Sequence, residues 1–156
     1  MATGLDLLEN LEALNIPSVA VTTLKENSER MADLIAGQLA QGLRSDGSEI
    51  LPSYKPLTIE LKHEKSGLAA VTDHVTLYDT GEHYKELYVE IKGDEIEYGS
   101  HDDKSEKLQE KYDVKGRKGN GSIYGLTEDS KDELVEGHLS NRFQSLITES
   151  TGLLFN

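Results

Sequence analysis

The run Leu77-Tyr78-Asp79-Thr80-Gly81 holds the residues best suited to chemistry: a carboxylate, a small hydroxyl and a glycine behind two bulky side chains. A carboxylate presented this way at a strand end becomes an acid-base catalyst when a second copy brings an identical group beside it. Two like charges a few ångströms apart cannot both ionise, so the pair shares a proton and activates water. Ile123-Tyr124-Gly125 has the apolar-apolar-glycine form of the segment that packs beside such a strand.

Dimeric aspartic proteases of the retroviral type carry this pattern, so one reading is a dimer that uses Asp79. Its surroundings argue for something else. Those proteases usually follow the triplet with Ala or Ser, and here Glu82 adds a carboxylate that would disturb the dyad. Glu82, His83, Lys85 and Glu86 are polar where the flanking strands should be nearly continuous and apolar. Asp79 followed three residues later by Glu82 instead has the form of a capping box with Asp79 as N-cap. Asp79, Thr80, Gly81 and Glu82 then form a structural turn. It redirects the chain into a strand around Tyr88 and is anchored by Tyr84 and Leu87. This reading expects no catalytic residue.

Other sites are weaker. Gly116 and Gly121 have Walker-type spacing, but Ser122 stands where the lysine belongs and no apolar strand comes before them. A flexible loop at 113–122 fits better, and its Lys115, Arg117 and Lys118 form a positive spot suited to a neighbour's acidic surface. His63, His74, His83, His101 and His138 show no metal-ligand spacing. His101-Asp102-Asp103 reads either as a weak cation holder or as a polar turn leaving a strand. No serine sits in a G-x-S-x-G context. There is no cysteine, which excludes disulfides and thiolate chemistry. No cofactor and no metal are expected.

The elements that would position these residues follow from periodicity. Leu5, Leu8, Leu11 or Glu12, and Leu14 suggest a short helix stopping near Asn15-Ile16-Pro17, because proline disfavours helical geometry before it. A long helix is expected from Ser18 to Leu43, with Leu24, Met31, Leu34, Ile35 and Leu39 inward. Arg44 to Ser48 closes it, and Ile50 to Pro56 is an extended arm. Leu57 to His63 fits either a strand or a short helix capped by Ser53 or Thr58. Val75 to Tyr78 reads as a short strand. Tyr84 to Ile91 contains a strand that pairs with Glu95 to Ser100 in an antiparallel hairpin about Lys92-Gly93-Asp94. Ser105 to Tyr112 is a helix with Leu108 inward, and Ile123 to Leu126 returns to the core. Thr127 caps a final helix with an acidic first turn, which suits the helix dipole. Its expected buried face is Leu134, Val135, Leu139, Phe143, Leu146 and Ile147. It ends near Gly152, leaving a tail at 152–156 whose apolar Leu153, Leu154 and Phe155 are a second candidate interface.

The 156 residues suit a single structural domain, 1–156, of α+β class: N-terminal and C-terminal helices packed on a small, mostly antiparallel sheet. Sixteen basic against 29 acidic residues give a net charge of −13, which repels phosphate backbones and anionic membranes. No partner nucleic acid and no membrane are expected. No run approaches the roughly 18 apolar residues of a spanning helix. The first residues lack a secretory signal, which predicts work in the compartment of synthesis.

The order Asp46-Gly47, Pro52, Tyr54, Pro56-Leu57-Thr58, Lys62, Gly67, then Thr76-Leu77-x-Asp79-Thr80-Gly81 carries a resemblance. It is similar to the virion-morphogenesis or tail-completion proteins of tailed bacteriophages. Their pattern is a helix, a turn, an aromatic-Pro-Leu stretch, a Lys/Gly segment and a Thr-Gly turn into a hairpin. Gly125-Leu126-Thr127 before the last helix matches as well. The likeness covers Leu39 to Ser100 well and the C-terminal third loosely. It departs at His83, where the family commonly has an apolar residue, and at Glu86, where it has a small hydroxyl residue. The resemblance implies a non-enzymatic structural protein of the virion, present in the host cytoplasm during assembly. It would be a neck component joining head and tail as a homo-oligomeric ring against other phage structural proteins. A non-enzymatic adaptor or binding domain outside a phage is the alternative.

Overall fold

Where one helix is expected from Ser18 to Leu43, two form. The structure, a computed structural model, describes residues 16–93, 95–113 and 121–152. Helix α1 spans Ile16–Glu26 and α2 spans Ser28–Ala40. The break lies at Asn27, whose φ of −108° and ψ of 13° leave the helical well. Side chains around it compete for helix carbonyls. Thr22 and Thr23 donate to Ser18 and Val19, Asn27 donates to the Thr23 carbonyl at 2.8 Å, and Ser28 donates to Lys25. Pro17 lies in the first turn of α1, where its missing N–H costs nothing. It therefore opens the helix that the sequence reading began one residue later, at Ser18. The short helix expected at Leu5 to Leu14 falls outside the described residues.

After α2 the chain turns at Gly42, and a Leu43–Glu49 bridge closes the expected turn. Arg44 is buried there. Its guanidinium donates to the carbonyls of Tyr112 (2.7 Å), Glu49 (2.6 Å) and Leu51 (2.8 Å). Helix α3, Pro56–Lys62, resolves the ambiguity at 57–63 in favour of helix. Proline takes its first position, and Lys55 precedes it without a side-chain cap, so neither Ser53 nor Thr58 plays that part.

The expected strand at Val75 to Tyr78 does not form: Val75, Thr76 and Leu77 are buried, Leu77 takes a left-handed φ of 57°, and the segment pairs with no strand among the described residues. Side chains satisfy its backbone instead. The Tyr54 hydroxyl accepts from the N–H groups of Thr76 (3.0 Å) and Leu77 (3.2 Å), and the Tyr84 hydroxyl donates to the Thr76 carbonyl at 2.6 Å. A short helix α4, Glu82–Lys85, leads into the two-stranded antiparallel sheet of β1, Leu87–Lys92, and β2, Glu95–Ser100. Their register sets Leu87 opposite Ser100 and Ile91 opposite Ile96. Val89 and Ile91 point into the core, as the alternation predicted.

Helix α5 is Ser105–Tyr112, with Leu108 half-buried and Tyr112 fully so. Ile123, Tyr124 and Leu126 do return to the core. Gln38 of α2 fastens this return by donating to the Gly125 carbonyl (2.8 Å) and accepting from the Thr127 N–H (2.9 Å). Thr127 caps α6, Glu128–Leu134, by accepting from the Ser130 N–H at 3.2 Å. A π-helical turn, Val135–Leu139, joins α6 to α7, Ser140–Thr151, which closes at Gly152 with φ of 74°. The wide turn corrects one expectation. In it residues five apart share a face, so Leu139 follows Leu134 inward and Val135 is left 46% exposed.

The core gathers Met31, Ile35 and Leu39 of α2 against Val89 and Ile91 of β1, with Val75, Leu77, Ile123 and Leu134 around them. Helices at both ends and a small antiparallel sheet make the chain α+β.

Candidate functional site

The Asp79 turn is real, but its capping differs from the expectation. Helix α4 is preceded by Gly81 at φ of 92°, and no side chain caps it. Asp79 lies two residues too early to be the N-cap, because Gly81 occupies that place. Its carboxylate instead pairs with Lys65. Glu82 does not reach back either; it pairs with Lys85 at 2.9 Å. Thr80 holds the turn through its hydroxyl, which accepts from the Glu82 N–H at 3.4 Å. Glycine is required at 81 twice over. The left-handed φ disfavours other residues, and a Cβ would lie 2.7 Å from the Tyr78 hydroxyl. Tyr78 packs edge-on against Tyr84, with centroids 5.0 Å apart. Tyr84 anchors the turn as expected, and burial raises its phenol above the ordinary range.

Ile123-Tyr124-Gly125 is engaged elsewhere. The Tyr124 hydroxyl lies 2.6 Å from the Ser105 hydroxyl, and Gly125 faces Ser45. His101 stacks on Tyr88 at 4.2 Å, and Asp102 accepts from the Lys104 N–H at 2.9 Å, so this triplet forms a polar turn. Among the described residues, no group of three or more His, Asp or Glu side chains could hold a metal ion.

Behind the Asp79 turn lies a cavity of about 280 Å³, walled by Lys62, Leu77, Tyr78, His83 and Leu108. Two of these walls were not singled out as site residues by the sequence. Lys62 is only 6% exposed. Its ammonium donates to the carbonyls of Ala69 and Tyr78, both at 2.9 Å, and stands 4.8 Å from the centre of the Tyr54 ring. It forms no ion pair with a described carboxylate. An ammonium has three N–H donors, so one remains. His83 is 5% exposed, and neither ring nitrogen has a partner among the described residues. Burial pushes its pKa below the ordinary value, with Asp102 opposing weakly, so the ring is neutral near neutral pH. The sequence marked His83 only as a polar residue following the turn, without the spacing of a metal ligand. Lys62 stood only as one position in the resemblance, because helical spacing alone does not reveal which lysine folds inward.

Helix α3 borders this cavity through Leu61. Leu57 and Leu61, one turn apart, are 67% and 58% exposed. The sequence left this stretch open as strand or helix; as a helix, its spacing turns both leucines outward together. The expected interface residues Lys115, Arg117, Lys118, Leu153, Leu154 and Phe155 lie outside the described residues. No described helix is long and apolar enough to cross a membrane.

No known protein family, curated protein or solved structure matches the chain.

Proposed function

We propose that this protein is a non-enzymatic assembly component of a tailed-phage particle, a neck or tail-completion protein that joins head and tail. It acts as one copy in an oligomeric ring and is found in the host cytoplasm before the particle forms. The observation that carries the reading is the apolar face of α3, where Leu57 and Leu61 stand in water beside the Asp79 turn. Neighbouring exposed apolar side chains offer the kind of surface that contact with another protein covers. Covering the exposed part of each contributes about 1–2 kcal/mol, so both leucines favour a neighbour. A ring built head to tail needs such a face on one side of each copy and a different receiving surface on the next. The net charge of −13 keeps free copies apart until a complementary surface is offered.

Mass spectrometry of purified particles tests this reading. The protein should be present at a fixed copy number, and Leu57→Ser with Leu61→Ser should lower its incorporation without unfolding it. Absence from purified particles would overturn the proposal and leave an adaptor outside a phage.

A further inference from the structure

We infer that the cavity behind the Asp79 turn receives one acidic side chain from a partner protein, whose neighbouring apolar residues cover Leu57 and Leu61. The inference rests on the assembly reading only in needing a protein partner.

Charge is the first argument. Three lysines, Lys62, Lys65 and Lys104, line the cavity against two aspartates, Asp79 and Asp102. With His83 neutral the local balance is +1, in a chain whose net charge is −13. Lys65 and Asp79 are spent on each other, and Lys104 forms no ion pair among the described residues. Lys62 is the decisive group, a cation removed from water with two neutral carbonyls and an aromatic face for company. A buried charge is normally compensated by an opposite one. Its third N–H can supply a charge-assisted bond to an incoming carboxylate. The two carbonyls already hold the ammonium in place, so little side-chain freedom is lost on binding.

Size is the second argument. At about 280 Å³ the cavity falls just below the range of about 300–1,000 Å³ usual for small-molecule sites. It has room for an inserted side chain. Leu61 lies at its edge and Leu57 one turn away, so a segment that places a carboxylate at Lys62 runs its flanking residues over both leucines.

The test is a nitrogen-15 NMR titration of the full chain with three capped, leucine-rich peptides that differ at one central position. The probes carry glutamate, glutamine or lysine there. The glutamate peptide should shift the amides of Lys62, Tyr78 and Asp79. It should bind about tenfold more tightly than the glutamine peptide, with the lysine peptide weakest. Lys62→Met should abolish the preference for glutamate. Because that variant also loses two carbonyl bonds, Leu61→Ser serves as the second. It should weaken the glutamate and glutamine peptides equally and preserve the preference between them. Equal binding of those two peptides to the natural chain, silence of the three amides, or indifference to Leu61→Ser would each overturn the inference. If the protein is absent from particles yet prefers the glutamate peptide, the phage reading falls and this site stands. The reverse outcome removes the site alone.

Discussion

Replacing His83 with leucine should make the protein more stable. The imidazole is enclosed, and both nitrogens lack partners among the described residues. An unsatisfied buried polar group costs about 1–3 kcal/mol, and a neutral imidazole brings one donor and one acceptor. Against that stand its ring contacts with Tyr124 and Tyr84, at 5.8 and 6.4 Å between centroids. Aromatic contacts of this kind are worth about 0.5–1.5 kcal/mol. The net expectation is a gain of about 1–3 kcal/mol, or roughly 2–4 °C in Tm per kcal/mol for a chain of this length. Urea titrations on either side of the histidine range add a second reading. The His83 pKa is depressed in the fold, so the unfolded chain binds its proton first as pH falls. The stability His83 allows is therefore complete above about pH 6.5 and declines as pH drops from there toward the depressed folded value. His83→Leu should flatten that part of the acid limb. A loss of more than about 1 kcal/mol near neutral pH would refute the reasoning, because it would mean the nitrogens are satisfied.

Three further substitutions probe the surroundings of the turn. Tyr54→Phe removes the hydroxyl that accepts from Thr76 and Leu77, leaving buried N–H groups unpaired, and should cost about 1–3 kcal/mol by chemical denaturation. For Gly81→Ala, the left-handed φ and the 2.7 Å approach to Tyr78 predict a loss of about 1–3 kcal/mol, read as a lower Tm. Asp79→Asn breaks only an exposed pair with Lys65, so it should change stability by under about 1 kcal/mol, with that small effect fading in high salt.

What could be read from the sequence was mostly local. The hairpin follows from alternation on both sides of Lys92-Gly93, and the Thr127 cap from its place before an acidic first turn. Helix α5 formed at its expected limits. The misses each involve a partner far along the chain or a competing bond within it. Asn27 breaks the first long helix because threonine, asparagine and serine side chains take its carbonyls. Val75 to Tyr78 was expected as a strand because its residues suit one; its backbone is instead satisfied largely by Tyr54, more than 20 residues earlier, and by Tyr84. Val135 was placed inward on the assumption of regular helical spacing, which the π turn breaks. Asp79 had the spacing of a capping box, but only the left-handed φ of Gly81 decides where the helix begins. Lys62 and His83 could not be chosen in advance, since their significance lies in what surrounds them.

The clasp around Val75 to Tyr78 also bears on solubility. This segment is rich in residues that favour strands, and an extended backbone with free polar groups is a template on which other chains add as β-strands. Here the N–H groups of Thr76, Leu77 and Tyr78 are bound by hydroxyls, and the carbonyls of Thr76 and Tyr78 by Tyr84 and Lys62. Side chains rather than a third strand thus take up these groups, and the left-handed φ of Leu77 bends the segment away from a flat edge. Tyr54 and Lys62, which also line the cavity, thereby leave this backbone little to offer another chain.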